Sequence, residues 1–184
     1  MDLNDRNTTV YARNTVEFVT VAAEFCAYIE QSEGRKRQDF MDTVLKLLPL
    51  LYLKASLLES VEGAEDFLPE AFVSEQDYEV VKLTLSNIMG DDDDYLDFCN
   101  EDVKFSDEPA VKTISEALAD IYQALKNFTE TYRVGLEESM YEAVGEVKNA
   151  FLLYWGQTLT NAMRALHRAR YAIREDDDEE YDLE

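Results

Sequence analysis

The sequence contains a single histidine, His167, and this scarcity excludes much metal chemistry. An HExxH zinc site needs two histidines on one helix face, and a ferritin-like di-iron site needs repeated Glu-x-x-His. The sequence also lacks CxxC pairs, the G-x-S-x-G nucleophile turn and the glycine-rich loops that hold nucleotide phosphates. We therefore expect no cofactor, and the absence of a catalytic constellation disfavours an enzyme.

Cysteine is nearly as scarce, because Cys26 and Cys99 are the only two and they form no paired framework. Cys26 lies in an apolar helical stretch, where a small buried side chain is the usual outcome. Cys99 lies among carboxylates, which disfavour a thiolate and hence a nucleophile. With no secretory leader apparent in MDLNDRNTTV, we expect a reducing, cytoplasmic location.

Basic residues are few: 17 Lys and Arg stand against 40 Asp and Glu, for a net charge of -23. This sign opposes direct binding to nucleic acids or to anionic membranes. No apolar run approaches the ~20 residues of a membrane span. The acidic excess is concentrated in residues 90–108 and 175–184, which predicts a basic protein as partner.

Glycine and proline, at six and three residues, are too rare for the turns of an all-β fold. Apolar residues instead recur at helical three-four spacing, and no segment shows the alternation of a strand. The sequence predicts an all-α, roughly five-helix up-and-down bundle, with long first, second, fourth and fifth helices. The predicted helices span residues 7–33, 37–61, 74–89, 107–132 and 137–174, with 1–174 as one domain and 175–184 as a disordered acidic tail.

Two of these helices carry further predictions. The second is apolar on nearly every face, which is typical of a central helix, and Pro49 inside it predicts a kink. Ser74 is the expected N-cap of the third helix and Gly90 its stop. Gly145 and Gly156 interrupt the last stretch, so one helix or two remains open there.

Four strings in order carry a resemblance: LLPLLYLKASL from Leu47, SEQDYEVV from Ser74, SEALADIYQALK from Ser115 and YWGQTLTNAMRALH from Tyr154. Together they resemble an uncharacterised all-helical family of bacterial, Bacteroidetes-type proteins, a domain of unknown function. The resemblance covers most of residues 10–170 and excludes the acidic tail. It implies an all-α cytoplasmic domain and brings no activity, substrate or catalytic residue.

The basic cluster near the end of the last helix is the first candidate site. Arg164, His167 and Arg168 lie at i, i+3 and i+4 and therefore share a helix face. They could bind a phosphate or carboxylate. The alternative is structural: these cations complement the helix dipole, or pair with the acidic tail or with carboxylates of a neighbouring helix.

Asp120 and Tyr122 form the second candidate, because an Asp at the edge of an apolar stripe needs a partner. With Arg164, His167 and Trp155 they would line a polar pocket between the last two long helices. The alternative is a structural ion pair with a hydrogen-bonded tyrosine.

The acidic loop is the third candidate, where Asp91, Asp93 and Asp97 could hold a weakly bound Ca²⁺ or Mg²⁺. The EF-hand spacing fails there, since Leu96 occupies the position of the turn glycine. A solvated loop with no metal is the favoured interpretation.

Three functional hypotheses follow. The first is a non-enzymatic bacterial interaction or adaptor protein. The second is a helical domain that binds or converts a small anionic ligand. The third, an acidic mimic of nucleic acid, is disfavoured because the acids fall in two short runs rather than along one face.

Overall fold

Six α-helices dominate the computed structural model, which describes residues 8–61, 70–97 and 110–172. They are α1 (Arg13–Glu30), α2 (Arg37–Ser56), α3 (Glu75–Met89), α4 (Ile114–Val134), α5 (Glu137–Ala150) and α6 (Gly156–Tyr171). Between α3 and α4 lie a 3-10 turn (Gly90–Asp92) and a two-stranded antiparallel sheet, β1 (Asp94–Asp97) with β2 (Ala110–Thr113). The predicted all-α bundle is confirmed.

Helix α4 is the centre of the bundle, because it packs against α1, α3, α5 and α6. Its three-four spacing buries Leu118, Ile121 and Leu125 completely. The prediction that the second helix is central is wrong. That helix, α2, packs mainly on α1 and α6 and leaves Leu53 and its C-cap residue Leu57 about half exposed, so the apolar residues of this segment also form an outward face.

Aromatic rings join the helices at the middle of the core. The Phe18 side chain of α1 is fully buried, with its ring centroid 5.3 Å from that of Phe128 and 6.4 Å from that of Trp155. Burying one such side chain is worth about 1.5–3 kcal/mol. This cluster fixes α1 and α4 against Trp155, the residue that precedes α6.

A buried lysine holds the end of α2 against α5. The Lys148 ammonium donates hydrogen bonds to the carbonyl oxygens of Ala55 and Ser56, at 3.1 and 3.0 Å. These carbonyls belong to the last turn of α2, where the regular i→i+4 donors end, and the Ala55 carbonyl also accepts from the Leu58 N–H at 3.2 Å. Burial lowers the pKa of Lys148.

The ends of α3 agree with the predictions. Ser74 and Asp77 form a reciprocal capping box at its start, and Gly90, with φ of +55°, ends it. Helix α1 is shorter than predicted, ending at Glu30 rather than residue 33, and α2 ends at Ser56 rather than 61. Helix α2 continues through Pro49.

The start of α4 corrects two predictions. The helix begins at Ile114 with Thr113 as N-cap, whereas the sequence predicted a start at residues 107–109, which lie outside the described residues. Residues 110–113 instead pair with β1, so the expectation of no strand is also wrong. The backbone N–H and C=O groups of residues 110–113 pair with β1 and are therefore not available for an earlier turn of α4.

Helices α5 and α6 form one continuous helical stretch joined by a π-helical turn, Phe151–Trp155, which we call the π turn. The Trp155 indole N–H donates to the Val147 carbonyl at 3.2 Å across this turn. Gly156 follows it, and a Cβ there would stand 2.4 Å from the Phe151 carbonyl oxygen. Residues 137–171 therefore form one helical stretch that contains a wider, π-helical turn.

Cys26 is buried as predicted, and burial raises the pKa of its thiol to about 12. Cys99 lies outside the described residues, as does the predicted acidic tail. None of the helices in the described part of the chain is long and apolar enough to traverse a bilayer.

Candidate functional site

Helix α6 is bordered by two open clefts. Cleft A lies between α2 and α6, has a volume of about 630 Å³ and is lined chiefly by Leu45, Lys46, Met163, Arg164, His167 and Tyr171. Cleft B lies where α4, the β1–β2 pair (hereafter the hairpin) and the π turn meet α6. Its volume is about 540 Å³, and its lining includes Tyr95, Glu116, Asp120, Leu153, Tyr154 and Gln157.

The predicted basic cluster faces cleft A. Arg164 and His167 both line it, and Arg168 lies exposed on the same helix. Arg164 also donates from Nη2 to the Leu96 carbonyl at 3.1 Å, which ties α6 to the hairpin. The His167 ring packs 4.8 Å from the ring of Tyr171.

Arg170, two residues beyond the basic cluster on α6, has a structural partner on the neighbouring helix. Arg170 donates to both carboxylate oxygens of Asp42 on α2, at 2.8 and 3.2 Å. This guanidinium lowers the pKa of Asp42. The carboxylate of cleft A is therefore already neutralised, while Arg164 and His167 remain directed at the groove.

The predicted polar pocket between the last two long helices is not assembled. Asp120 was expected to pair with Arg164 or His167, but its Oδ1 accepts a hydrogen bond from the Tyr78 hydroxyl of α3 at 2.8 Å. Tyr122 donates instead to Glu30 of α1 at 3.0 Å. Residues two apart on a helix point in nearly opposite directions, so Asp120 and Tyr122 cannot line one pocket.

The six predicted site residues thus occupy separate places. Arg164 and His167 line cleft A, with Arg168 beside it, and Asp120 lines cleft B. Trp155 is buried in the core, and Tyr122 lies between α4 and α1.

Asp120 is the most perturbed carboxyl of cleft B. Burial raises its pKa, and the hydrogen bond from Tyr78 lowers it by less. Glu116, one turn earlier on α4, adds like-charge repulsion. The net effect penalises the charged form of Asp120 in the native state.

We expect Asp120→Asn to gain stability relative to the wild type as the pH rises. Because the native pKa of Asp120 is raised, its carboxyl stabilises the fold fully below its unfolded pKa of about 3.9, and this contribution is lost as pH rises through the native pKa. The asparagine carbonyl keeps the bond from Tyr78 and has no such loss. Urea unfolding of both proteins between about pH 3 and pH 7 measures the difference.

Tyr78→Phe is the matched control for this prediction. It removes the hydroxyl that partly stabilises the carboxylate, so it should steepen the pH dependence rather than abolish it. A stability difference between wild type and Asp120→Asn that stays constant with pH would contradict the assignment.

Two carboxylates of the acidic loop bind other residues of the same chain. Asp92 pairs with Arg37 of α2, and Asp93 is buried with both carboxylate oxygens bound to Ser115 of α4. Asp91 is exposed, and the side chain of Asp97 lies outside the described residues. In the described ranges, no group of three or more His, Cys, Asp or Glu side chains is arranged to hold a metal ion.

The π turn exposes a surface that the sequence reasoning missed. Leu152, Leu153 and Tyr154 are consecutive, and 62%, 68% and 70% of their surfaces are exposed; we call them the π-turn patch. The sequence does contain a signal for this surface, since five large apolar residues in a row, Phe151 to Trp155, interrupt the three-four spacing of the helix. Tyr52 of α2 contacts the start of the same turn, since its half-exposed ring packs 5.1 Å from the buried ring of Phe151.

Comparison with known proteins identifies the family and a similar solved structure. The family model described as a domain of unknown function, DUF5063, matches residues 9–172. The crystal structure of protein BF1032 from Bacteroides fragilis, a structural-genomics target, is similar at 46% identity with a TM-score of 0.78. The alignment covers 89% of this chain and 99% of that one. No curated protein matches the chain.

Proposed function

The chain belongs to the DUF5063 family, a domain of unknown function, and we propose that it is a non-enzymatic interaction protein that binds a basic partner protein at the π-turn patch. The observation that carries this proposal is the exposure of Leu153 and Tyr154, two large apolar side chains of the π turn that both line cleft B. Contiguous exposed apolar surface of this kind marks interaction sites on soluble proteins.

The backbone beneath the patch supports the same conclusion. A π-helical turn is rare, is less favourable than α-helix and occurs often at functional sites. Here Gly156 leaves the space that the Phe151 carbonyl and ring occupy, so the sequence accommodates the turn specifically. The turn directs Leu153 and Tyr154 toward cleft B instead of the core.

Charge argues for a basic partner. The chain carries -23 overall, which accelerates encounter with basic proteins and disfavours acidic ones. Glu116 and Asp120 line cleft B beside the patch and can receive a lysine or arginine of a partner, in addition to Lys112, which lines the same cleft, and Lys82, which lies 3.6 Å from Glu116. The exposed ring of Tyr154 adds a surface on which a guanidinium can stack.

The chemistry of the described residues is consistent with binding rather than catalysis. His167, the single histidine, forms no hydrogen bond with any residue in the described ranges, so no base–nucleophile pair is built around it there. The buried Cys26 thiol has a raised pKa and is a poor nucleophile. A location in the cytoplasm, where the partner would be met, is part of the proposal and is supported by this unpaired thiol.

The test compares three baits in native lysate of the source bacterium: wild type, a patch variant and a control variant. The patch variant is Leu152→Ser, Leu153→Ser and Tyr154→Ser. The control, Tyr11→Ser, Val80→Ser and Leu83→Ser, removes side chains of matched type and similar exposure from α3 and the chain preceding α1. A partner identified by mass spectrometry is then purified and titrated against each bait at low and high salt.

We expect the patch variant to bind that partner at least about 30-fold more weakly, because losing one buried apolar anchor costs about 2 kcal/mol. The control variant should bind as the wild type does, and high salt should weaken both. Equal affinity for the wild type and the patch variant would contradict the proposal. So would a purified partner without net positive charge.

A second candidate function, binding of a small anionic ligand, retains one supporting observation. Arg164 and His167 face a common cleft together with Lys46. The phosphate titration described in the next subsection tests this candidate.

A further inference from the structure

We infer that cleft A is the binding site of an acidic peptide segment with apolar anchors, and that its occupant is residues 175–184 of the same chain. Three observations lead to this assignment: the chemistry of the cleft, the availability of its cations, and the position at which the described chain ends. None of them depends on the π-turn patch.

Cleft A combines an apolar floor with a basic rim. Leu45 of α2 and Met163 of α6 are partly buried and pack against the core, so they form a floor that is still accessible. Lys46, Arg164 and His167 stand around this floor. Such a groove suits a segment that offers apolar side chains and carboxylates together.

The cations of the cleft are available for such a segment. Within residues 8–61, 70–97 and 110–172, neither Lys46, Arg164, His167 nor the adjacent Arg168 forms an ion pair. The carboxylate that lines the cleft, Asp42, is occupied by Arg170. Asp42 also interacts electrostatically with Lys46, but the cations around the cleft outnumber its one carboxylate. In a chain of net charge -23, this positive excess attracts the acidic residues nearest to it in sequence.

The segment 175–184 has the matching composition. Eight of its ten residues are Asp or Glu, and the other two are Tyr181 and Leu183. In an extended backbone, side chains two apart point to the same face. Tyr181 and Leu183 would therefore meet the floor together while the acids between and before them reach the rim.

The segment also has sufficient reach. Tyr171, which lines cleft A, is the last residue of α6, so the chain leaves the helix at the mouth of the cleft. From Tyr171 back to Thr160 along the helix is about 16 Å, at about 1.5 Å per residue. Twelve residues follow Ala172, and an extended chain of that length spans up to about 40 Å.

The experiment uses the full chain and a full-length neutral variant in which the eight acids of 175–184 become Asn or Gln. A synthetic peptide of residues 173–184 is titrated into each, and binding is followed by calorimetry and NMR. His167 is the single histidine, so one imidazole signal reports on cleft A directly. The Met163 methyl signal reports on its floor.

We expect the peptide to bind the neutral variant and to bind the wild type at least about 10-fold more weakly, because the segment in cis competes at high effective concentration. Two controls separate charge from shape. Lys46→Gln with Arg164→Gln in the neutral variant should abolish binding, and a peptide with Tyr181→Ser and Leu183→Ser should lose the effect on Met163.

Two outcomes would overturn the inference. Equal peptide affinity for the wild type and the neutral variant would show that 175–184 does not occupy the cleft. The second outcome comes from inorganic phosphate as a probe: if it moves the His167 signal equally in both proteins, cleft A is an open anion site. That result would favour the small-ligand function instead.

Discussion

Replacing Gly156 by alanine should destabilise the protein by about 1–3 kcal/mol, the cost typical of overpacking. In an ordinary helix interior the same change would stabilise by about 1 kcal/mol, so the expected sign is reversed. The reason is steric: the new Cβ would lie 2.4 Å from the Phe151 carbonyl oxygen and 2.9 Å from its ring carbons. The carbonyl belongs to the π turn and cannot move without disturbing the turn itself.

Urea unfolding of Gly156→Ala and wild type measures this effect. Leu153→Ala is the control on the same turn, because its side chain is mostly exposed and its loss should cost little. If Gly156→Ala proves as stable as the wild type, the π turn can relax to α-helix without cost. That result would remove the backbone support for the proposed function.

Replacing Asp93 by alanine should cost about 1–3 kcal/mol, since it leaves the buried backbone N–H of Ser115 without its acceptor and leaves the Ser115 hydroxyl only the Thr113 hydroxyl, at 3.2 Å, to donate to. The Asp93 carboxylate accepts from the Ser115 backbone N–H at 2.8 Å and from its hydroxyl at 2.7 Å. Its carbonyl also accepts from the N–H of Ile114 at 2.8 Å, a bond that the substitution keeps in place. Asp93 thus caps the central helix from outside the helix.

Thermal unfolding is a suitable measurement, because in a domain of this size each kcal/mol corresponds to about 2–4 °C in Tm. Asp91→Ala, an exposed neighbour, controls for the loss of one negative charge. Asp93→Asn should lower Tm by an amount between those of Asp91→Ala and Asp93→Ala, because its amide can accept one hydrogen bond and donate another. If Asp93→Ala lowers Tm no more than Asp91→Ala does, the Asp93 cap does not stabilise the fold.

The helices could be predicted because their apolar spacing is set by a single dominant requirement, burial of one stripe. In α4 this requirement is met at Leu118, Ile121, Leu125 and Phe128, all buried. The same argument misplaced α2, because apolar residues alone do not say which side of a helix is covered. Leu53 and Leu57 have the composition of core residues and lie on the outer surface.

The β1–β2 hairpin could not be predicted from the spacing of apolar and polar residues. Its strands are only four residues long, and Val111 of β2 is exposed while its neighbours differ little in burial. With no buried face, the strand has no alternation to detect. Pairing across residues 94–113 depends on a contact between distant segments, which local spacing does not encode.

The site was predictable in part. Arg164 and His167 were placed on one face by their spacing, and the structure brings both to cleft A. Which helix lies opposite them, α2 rather than α4, depends on the packing of the whole bundle. Asp120 and Tyr122 were grouped by sequence proximity, although helical geometry already separates their directions.

The hairpin register has a consequence for how this domain can vary and be engineered. Asp97 and Ala110 are directly opposite each other in the ladder, so the twelve residues between them leave and return at adjacent points. Doubling the length of such a connection costs only about 0.6 kcal/mol of closure entropy. We therefore expect the connection between β1 and β2 to tolerate insertions. A reporter peptide or a small domain placed there should leave the packing of the bundle unchanged.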